Sequence, residues 1–145
     1  MIINDSTLKI VEIKNDEAGI KDLKYMYNEI FFTAFPNNDE RESIENLIQY
    51  IQEDCYEENR HIICLKSNSS IIGSLIFNYF QEANAGYIAY IVIDGNHRRK
   101  GYATMLIKEG MKILGQDAIK TNNSSIKCIF GEITKIYKKF QLLHL

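Results

Sequence analysis

Apolar and polar residues alternate from Leu8 to Lys14, which is the period of a strand with one buried face. The period then lengthens. Leu23, Met26, Tyr27, Ile30, Phe31 and Ala34 fall on one side of a helix running from Asp22 to Ala34. Pro36 closes it, because proline cannot extend the helical hydrogen-bond ladder. Ile44, Leu47, Ile48, Ile51 and Cys55 form the stripe of a second helix, and Asp39-x-x-Glu42 ahead of it resembles a capping box. Two strands follow, His61 to Lys66 and Ile71 to Tyr79, joined by Ser67-Asn68-Ser69-Ser70, a hairpin turn by composition. Asn84-Ala85-Gly86 turns into an apolar strand that ends at Ile93-Asp94. The helix after it packs through Leu106, Ile107, Gly110, Ile113 and Leu114, with Gly110 permitting a close approach to the sheet. A fifth strand from Ser125 to Phe130 and a helix from Thr134 to Leu143 complete the order β-α-α-β-β-β-α-β-α. This is a mixed α/β sheet: a hairpin-connected half, then a right-handed β-α-β crossover.

The chemistry lies between the fourth strand and the helix after it. Arg98-Arg99-Lys100-Gly101-Tyr102-Ala103 opens that helix. A helix start presents unpaired backbone N–H groups and the positive end of the helix dipole, and together these bind phosphate. Gly101 lets the backbone come close to a ligand, and Ala103 crowds it little. Arg98, Arg99 and Lys100 add charge where a pyrophosphate would sit. The competing reading is a surface turn whose basic residues are merely solvated.

Arg98-x-x-Gly101-x-Ala103, set after a strand ending Ile93-Asp94, resembles the acetyl-CoA-binding motif of the GNAT acetyltransferase superfamily. In that family the strand typically ends Val-Asp-Pro and an Arg-Gly-Lys-Gly-x-Gly/Ala turn follows; here Gly95 stands for the proline, Arg99 for the first glycine and Ala103 for the last small residue. Ile71-Ile72-Gly73-Ser74-Leu75 is similar to the family's third strand. Phe35-Pro36 with Glu40-Arg41 resembles a segment of one bacterial subgroup, with one more residue in between. Tyr90 in the fourth strand and Glu132 closing the fifth fit the same subgroup. The resemblance covers residues 8 to 142.

It implies one GNAT-type domain over residues 1–145, ending before the family's usual last two strands. It implies acetyl-CoA as co-substrate, held by the backbone of Ile91, Val92 and Ile93 and by the turn Arg98, Arg99, Lys100, Gly101, Tyr102, Ala103 and Thr104. The implied reaction is N-acetyl transfer to the amine of a small molecule or peptide, direct within a ternary complex. The family's acid for the departing thiolate is a tyrosine in Tyr-x-x-x-Gly-Phe. Tyr137 has that spacing, with Gln141 and Leu142 replacing Gly-Phe, and it also reads as a packed helix tyrosine. Where many members carry a glutamate on the fourth strand, this chain has Tyr87 and Ala89. Glu132 is the nearest substitute base, and it reads equally as a helix-start residue stabilised by the dipole. Asp39, Glu40, Glu42, Glu45, Glu53, Asp54, Glu57 and Glu58 lie in the region that borders the family's acceptor site; the plainer reading of most is a solvated face. The early end leaves a strand edge that another chain would cover in a homodimer. Two rival readings stay open: a cofactor-binding regulatory module without catalysis, and an oligomerising structural fragment.

Composition narrows the partners. The chain is 46% hydrophobic and 25% charged, with a net charge of -2, so it has no general attraction to nucleic acid. No apolar run approaches the ~20 residues that span a bilayer, and the N-terminus lacks a signal-peptide core. Cys55, Cys64 and Cys128 form no C-x-x-C pair, which implies no metal centre and suits the cytoplasm; Cys128 reads as a small core residue. His61, His97 and His144 are scattered, and His97 reads as an exposed turn residue.

Overall fold

The structure, a computed structural model, describes residues 7–121 and 123–131. Its elements are β1 (Leu8–Glu12), α1 (Glu17–Met26), a π-helical turn (Tyr27–Phe31), α2 (Phe32–Ala34), α3 (Ile44–Gln52), β2 (Glu58–Ser67), β3 (Ser70–Phe80), β4 (Ala85–Ile93), a 3₁₀ turn (Gly95–His97), α4 (Tyr102–Lys120) and β5 (Cys128–Gly131). The five strands form one sheet in the order β1-β2-β3-β4-β5. Neighbours are antiparallel up to β4, and β5 pairs parallel to β4. This is the mixed α/β order expected through the fifth strand. The helix expected from Thr134 to Leu143 lies outside the described residues.

Helix starts are where hydrophobic periodicity misleads. α1 begins five residues before Asp22, because Asp16 caps it: its Oδ1 accepts from the Gly19 N–H at 2.7 Å. The apolar stripe begins only at Leu23, so the first turn carried no periodic signal. Asp39-x-x-Glu42 is not a capping box. Ser43 is the N-cap of α3, its Oγ accepting from the Asn46 N–H at 3.1 Å. α3 ends at Gln52, which leaves Cys55 beyond the helix. The hairpin between β2 and β3 turns on Asn68 (φ 52) and Ser69 (φ 78). Two successive left-handed residues match the twist of the paired strands.

The core lies on both faces of the sheet. On one face Leu23, Met26, Ile30, Phe31 and Leu47 pack on Ile62, Cys64, Ile76, Tyr90 and Val92. On the other, Leu106, Leu114 and Ala118 of α4 pack on Ile63, Leu65, Leu75, Phe77, Tyr79, Ile91 and Ile93. Each large aliphatic side chain so buried contributes about 1.5–3 kcal/mol. A methyl group on Gly110 would fall 2.6 Å from Leu75 Cδ2, so glycine lets α4 lie close to the sheet, as expected. β5 is shorter than the expected strand and begins at Cys128. Cys128 is exposed rather than core, because strand alternation turns Ile129 toward α4 instead.

A charged link ties β1, β2 and α4 together. His61 Nδ1 meets Glu12 Oε2 at 3.0 Å and His61 Nε2 meets Asp117 Oδ2 at 2.7 Å, with the ring stacked on Phe77 at 5.0 Å. Burial alone would lower the His61 pKa, but the bonds and charges of Asp117 and Glu12 outweigh it and push the pKa up to about 9. The same imidazolium holds Glu12 below its usual value, against burial that would raise it. A raised folded pKa means the stabilisation is complete below the unfolded value of about 6.5 and is lost as pH rises through about 9. Urea unfolding should therefore give a free energy lower by roughly 3 kcal/mol at pH 10 than at pH 6. In His61→Gln that difference should largely vanish; an unchanged slope would show that His61 is not the titrating group.

Candidate active site

Where β4 ends at Ile93, the chain makes a tight turn into α4. Asp94, the 3₁₀ turn, Arg98, Arg99 and Lys100 lead to Gly101, the residue that opens the helix. Gly101 has φ 78, a left-handed value that favours glycine, and a methyl group there would meet nothing within 4 Å. Glycine is thus required by the backbone, not by crowding. Among the described residues no side chain caps α4, so its first N–H groups have no side-chain acceptor there. Beside them is a hollow of about 30 Å³ lined by Ile93, His97, Arg98, Arg99, Gly101, Tyr102, Ala103 and Thr104. Uncapped N–H groups, basic side chains and a glycine at the helix start fit a phosphate group.

Four details add to or depart from the sequence reading. Arg98 folds back, its Nε donating to the Ile93 carbonyl at 3.3 Å, so it braces the strand end as well as lining the hollow. His97 is half-buried rather than exposed, and its Nδ1 lies 2.8 Å from Asp94 Oδ2. Lys100 is exposed and does not line the hollow. Arg99 adopts φ 65, an uncommon conformation for a residue with a Cβ.

Among the described residues, β4 is paired on both edges from Ala85 to Ile88. β5 matches Ala85 to Ile88 with Cys128 to Gly131, the last of the described residues. Beyond Ile88, β3 holds one edge of β4, and among the described residues no strand pairs with the other side of Ile91 to Ile93, which leaves a gap there. Ile91, Val92 and Ile93 bury their side chains in the two cores, and the Ile93 carbonyl accepts from Arg98 Nε. From Ile91 to Ile93 the gap runs about 7 Å at the usual strand rise. It ends at Ile93, which is also a wall of the hollow.

The other end of the gap has a second opening. Between β3 and β4 the register shifts: Ile76 faces Tyr90, Phe77 faces Ile88, and Ala89 is the extra residue. This bulge turns both Ala89 and Tyr90 toward the α1 and α3 face. There they border a cleft of about 380 Å³, whose other walls include Glu42, Asn46, Leu47, Tyr50, Glu53, Arg60 and Ile76. The Tyr90 ring stands edge-on to Phe31 (4.8 Å) and Phe35 (5.4 Å). Arg41 locks the loop beyond: it donates to the Phe35 carbonyl at 2.7 Å, the Pro36 carbonyl at 3.0 Å and the Tyr27 hydroxyl at 3.0 Å. Its guanidinium also lies 4.1 Å from the Phe32 ring centre. Phe35-Pro36, Arg41 and Tyr90, separate in sequence, thus form one block beside the cleft.

Tyr50 donates to the Phe77 carbonyl at 3.0 Å and to the Asn78 side chain, and burial raises its pKa, so it stays a hydroxyl. The Tyr87 ring lies 5.2 Å from the Phe130 ring, tilted by 46°. Glu132 and Tyr137 lie outside the described residues. Among the described residues no group of three His, Cys, Asp or Glu side chains could hold a metal, and no helix is long and apolar enough to cross a membrane. Of the cleft residues the sequence pointed to Glu42, Glu53 and Tyr90 but not to Asn46, Tyr50 or Arg60, because the cleft draws on four elements and the pairing that joins them is not written in any one of them.

A family model described as the acetyltransferase (GNAT) family matches residues 22–129. The chain belongs to the GNAT acetyltransferase family. No curated protein matches it by sequence. Among solved structures it is similar to an aminoglycoside acetyltransferase from an uncultured soil metagenomic sample, crystallised with sisomicin, at 15% identity and TM-score 0.69, covering 97% of this chain and 90% of that one. A ribosomal-protein-alanine N-acetyltransferase from Brucella melitensis gives 15% identity and TM-score 0.61, over 94% and 87% of the two chains. The PaiA N-acetyltransferase of Thermoplasma acidophilum, solved with coenzyme A, gives 16% and 0.59, over 77% and 74%. This GNAT protein is therefore an acyltransferase of a family that uses acetyl-CoA.

The turn makes a sharp prediction about strain. Arg99 and Gly101 are both left-handed, and only one is glycine. Arg99→Gly should raise the unfolding free energy by about 1 kcal/mol, and Gly101→Ala should lower it by about the same amount. Urea titrations of the two variants read this directly; shifts of the same sign would mean the turn is not held as described.

Proposed function

We propose that this GNAT protein is an N-acetyltransferase that moves the acetyl group of acetyl-CoA to the amine of a small molecule or peptide by direct transfer. One observation carries the reading: β4 leads from the cleft, at Ala89 and Tyr90, to a basic helix start beside Ile93. Backbone groups of Ile91, Val92 and Ile93 hold the cofactor's arm. Its pyrophosphate sits at Arg98, Arg99, Gly101, Tyr102, Ala103 and Thr104, where N–H groups and guanidinium charge favour it, and the exposed Lys100 adds positive charge beside it. When bound, the cofactor supplies an acetyl thioester.

The amine reaches it from the cleft, past Ala89 and Tyr90. Its nitrogen forms the new bond to the acetyl carbon as the carbon–sulfur bond breaks. The amine's surplus proton passes to Glu132 or to water, and Tyr137 donates a proton to the departing sulfur. Direct transfer is supported by the cysteines. None of them lines the hollow or the cleft, and burial pushes the Cys64 thiol up to about 12.

Calorimetric titration with acetyl-CoA tests the binding half. The wild type should bind and Gly101→Asp should not, because the new carboxylate sits beside phosphate; normal binding by that variant would remove the site. For the chemistry, Tyr137→Phe keeps the ring and should lower turnover about 10²–10⁴-fold with cofactor affinity unchanged. Wild-type turnover would assign thiolate protonation to water.

A further inference from the structure

The wall of the cleft formed by α3 has a carboxylate at each end. Glu42 precedes the N-cap Ser43, and Glu53 is the C-cap residue. Both are held in place by neutral amides: Asn46 Nδ2 donates to Glu42 Oε1 at 2.6 Å, and Gln49 Nε2 donates to Glu53 Oε1 at 2.8 Å. Neither has a cationic partner among the described residues. At the helical rise of 1.5 Å per residue the two lie on the order of 15 Å apart. The floor between them is apolar, with Leu47, Ile76 and Ala89.

Arg60 is the cation of this lining, and its charge is already met. Its Nε lies 2.5 Å from Glu58 Oε1, and its guanidinium stacks 5.2 Å over the Tyr50 ring. The wall therefore carries unbalanced negative charge at both ends and a methylene-compatible floor in the middle. A zwitterion such as an amino acid would need a free cation for its carboxylate, and the described lining offers none.

We infer that the acceptor of this site is an extended oligoamine: an alkyl chain with two or more ammonium groups, one nitrogen reaching β4 at Ala89 and Tyr90 while the others lie against Glu42 and Glu53. The inference rests on the acetyltransferase reading for the fate of the reacting nitrogen. The recognition itself depends only on the cleft. Exposed carboxylate–ammonium pairs are weak singly, about 0.2–1 kcal/mol, so selectivity comes from several acting together at low ionic strength.

The test is calorimetry at low salt on the full chain, with spermidine, hexylamine and alanine as probes. Spermidine should bind about tenfold more tightly than hexylamine, and alanine more weakly than either. Glu42→Gln and Glu53→Gln keep the side-chain length and should each weaken spermidine about threefold, leave hexylamine unchanged, and add in the double variant. Equal affinity for spermidine and hexylamine, no spermidine binding, or wild-type affinity in the double variant would each overturn the inference. An acetyl-CoA titration on the same samples separates the two ideas. Normal cofactor binding with no spermidine preference removes only the oligoamine. Spermidine preference without cofactor binding removes the acetyltransferase reading and leaves the recognition standing.

Discussion

A strand inside a sheet must satisfy backbone N–H and C=O groups along two edges. Among the described residues β4 has strand partners on both edges from Ala85 to Ile88 and is held by β3 beyond Ile88, while side chains of the same stretch stay buried in both cores. The molecule thus combines a strand fixed by both cores with a path from the cleft to the helix start. Nearly everything else in the site follows from that combination. The bulge at Ala89 opens the strand toward the cleft, and the turn after Ile93 opens it toward the basic hollow.

The surrounding packing keeps this strand rigid. α4 lies close on the sheet through Gly110, so the helix start is held at a set distance from the end of β4. On the opposite face the aromatic contacts of Phe31, Phe35 and Tyr90, with Arg41 clamping the loop, keep the bulged part of β4 in register with α3. The left-handed Arg99 costs backbone energy at the one place where its charge faces the hollow. That is a local conflict between conformation and charge, of the kind found where a ligand is bound.

Much of this was legible in the chain. Alternation and helical stripes marked all five strands and the cores of the long helices, because burial sets the period. The Arg98 to Ala103 turn stood out because glycine, charge and a helix start coincide there. What escaped detection was set by hydrogen bonds or by distant partners. Asp16 and Ser43 cap their helices outside the apolar stripes. Cys128 faces outward because the parity of a four-residue strand decides its side, and one step of register reverses it. His61 gains its partners from β1 and α4, far from it in sequence. Of the acidic residues around α3, Glu42 and Glu53 line the cleft whereas Glu58 is paired to Arg60, a distinction that only the fold makes.

The most direct measurement is backbone hydrogen exchange, residue by residue, with and without acetyl-CoA. If β4 beyond Ile88 is the cofactor's seat, amides between Ala89 and Ile93 and at the start of α4 should slow markedly on binding, while those shared by β1 and β2 stay as they were. Protection absent from β4, or confined to another face of the sheet, would contradict this account.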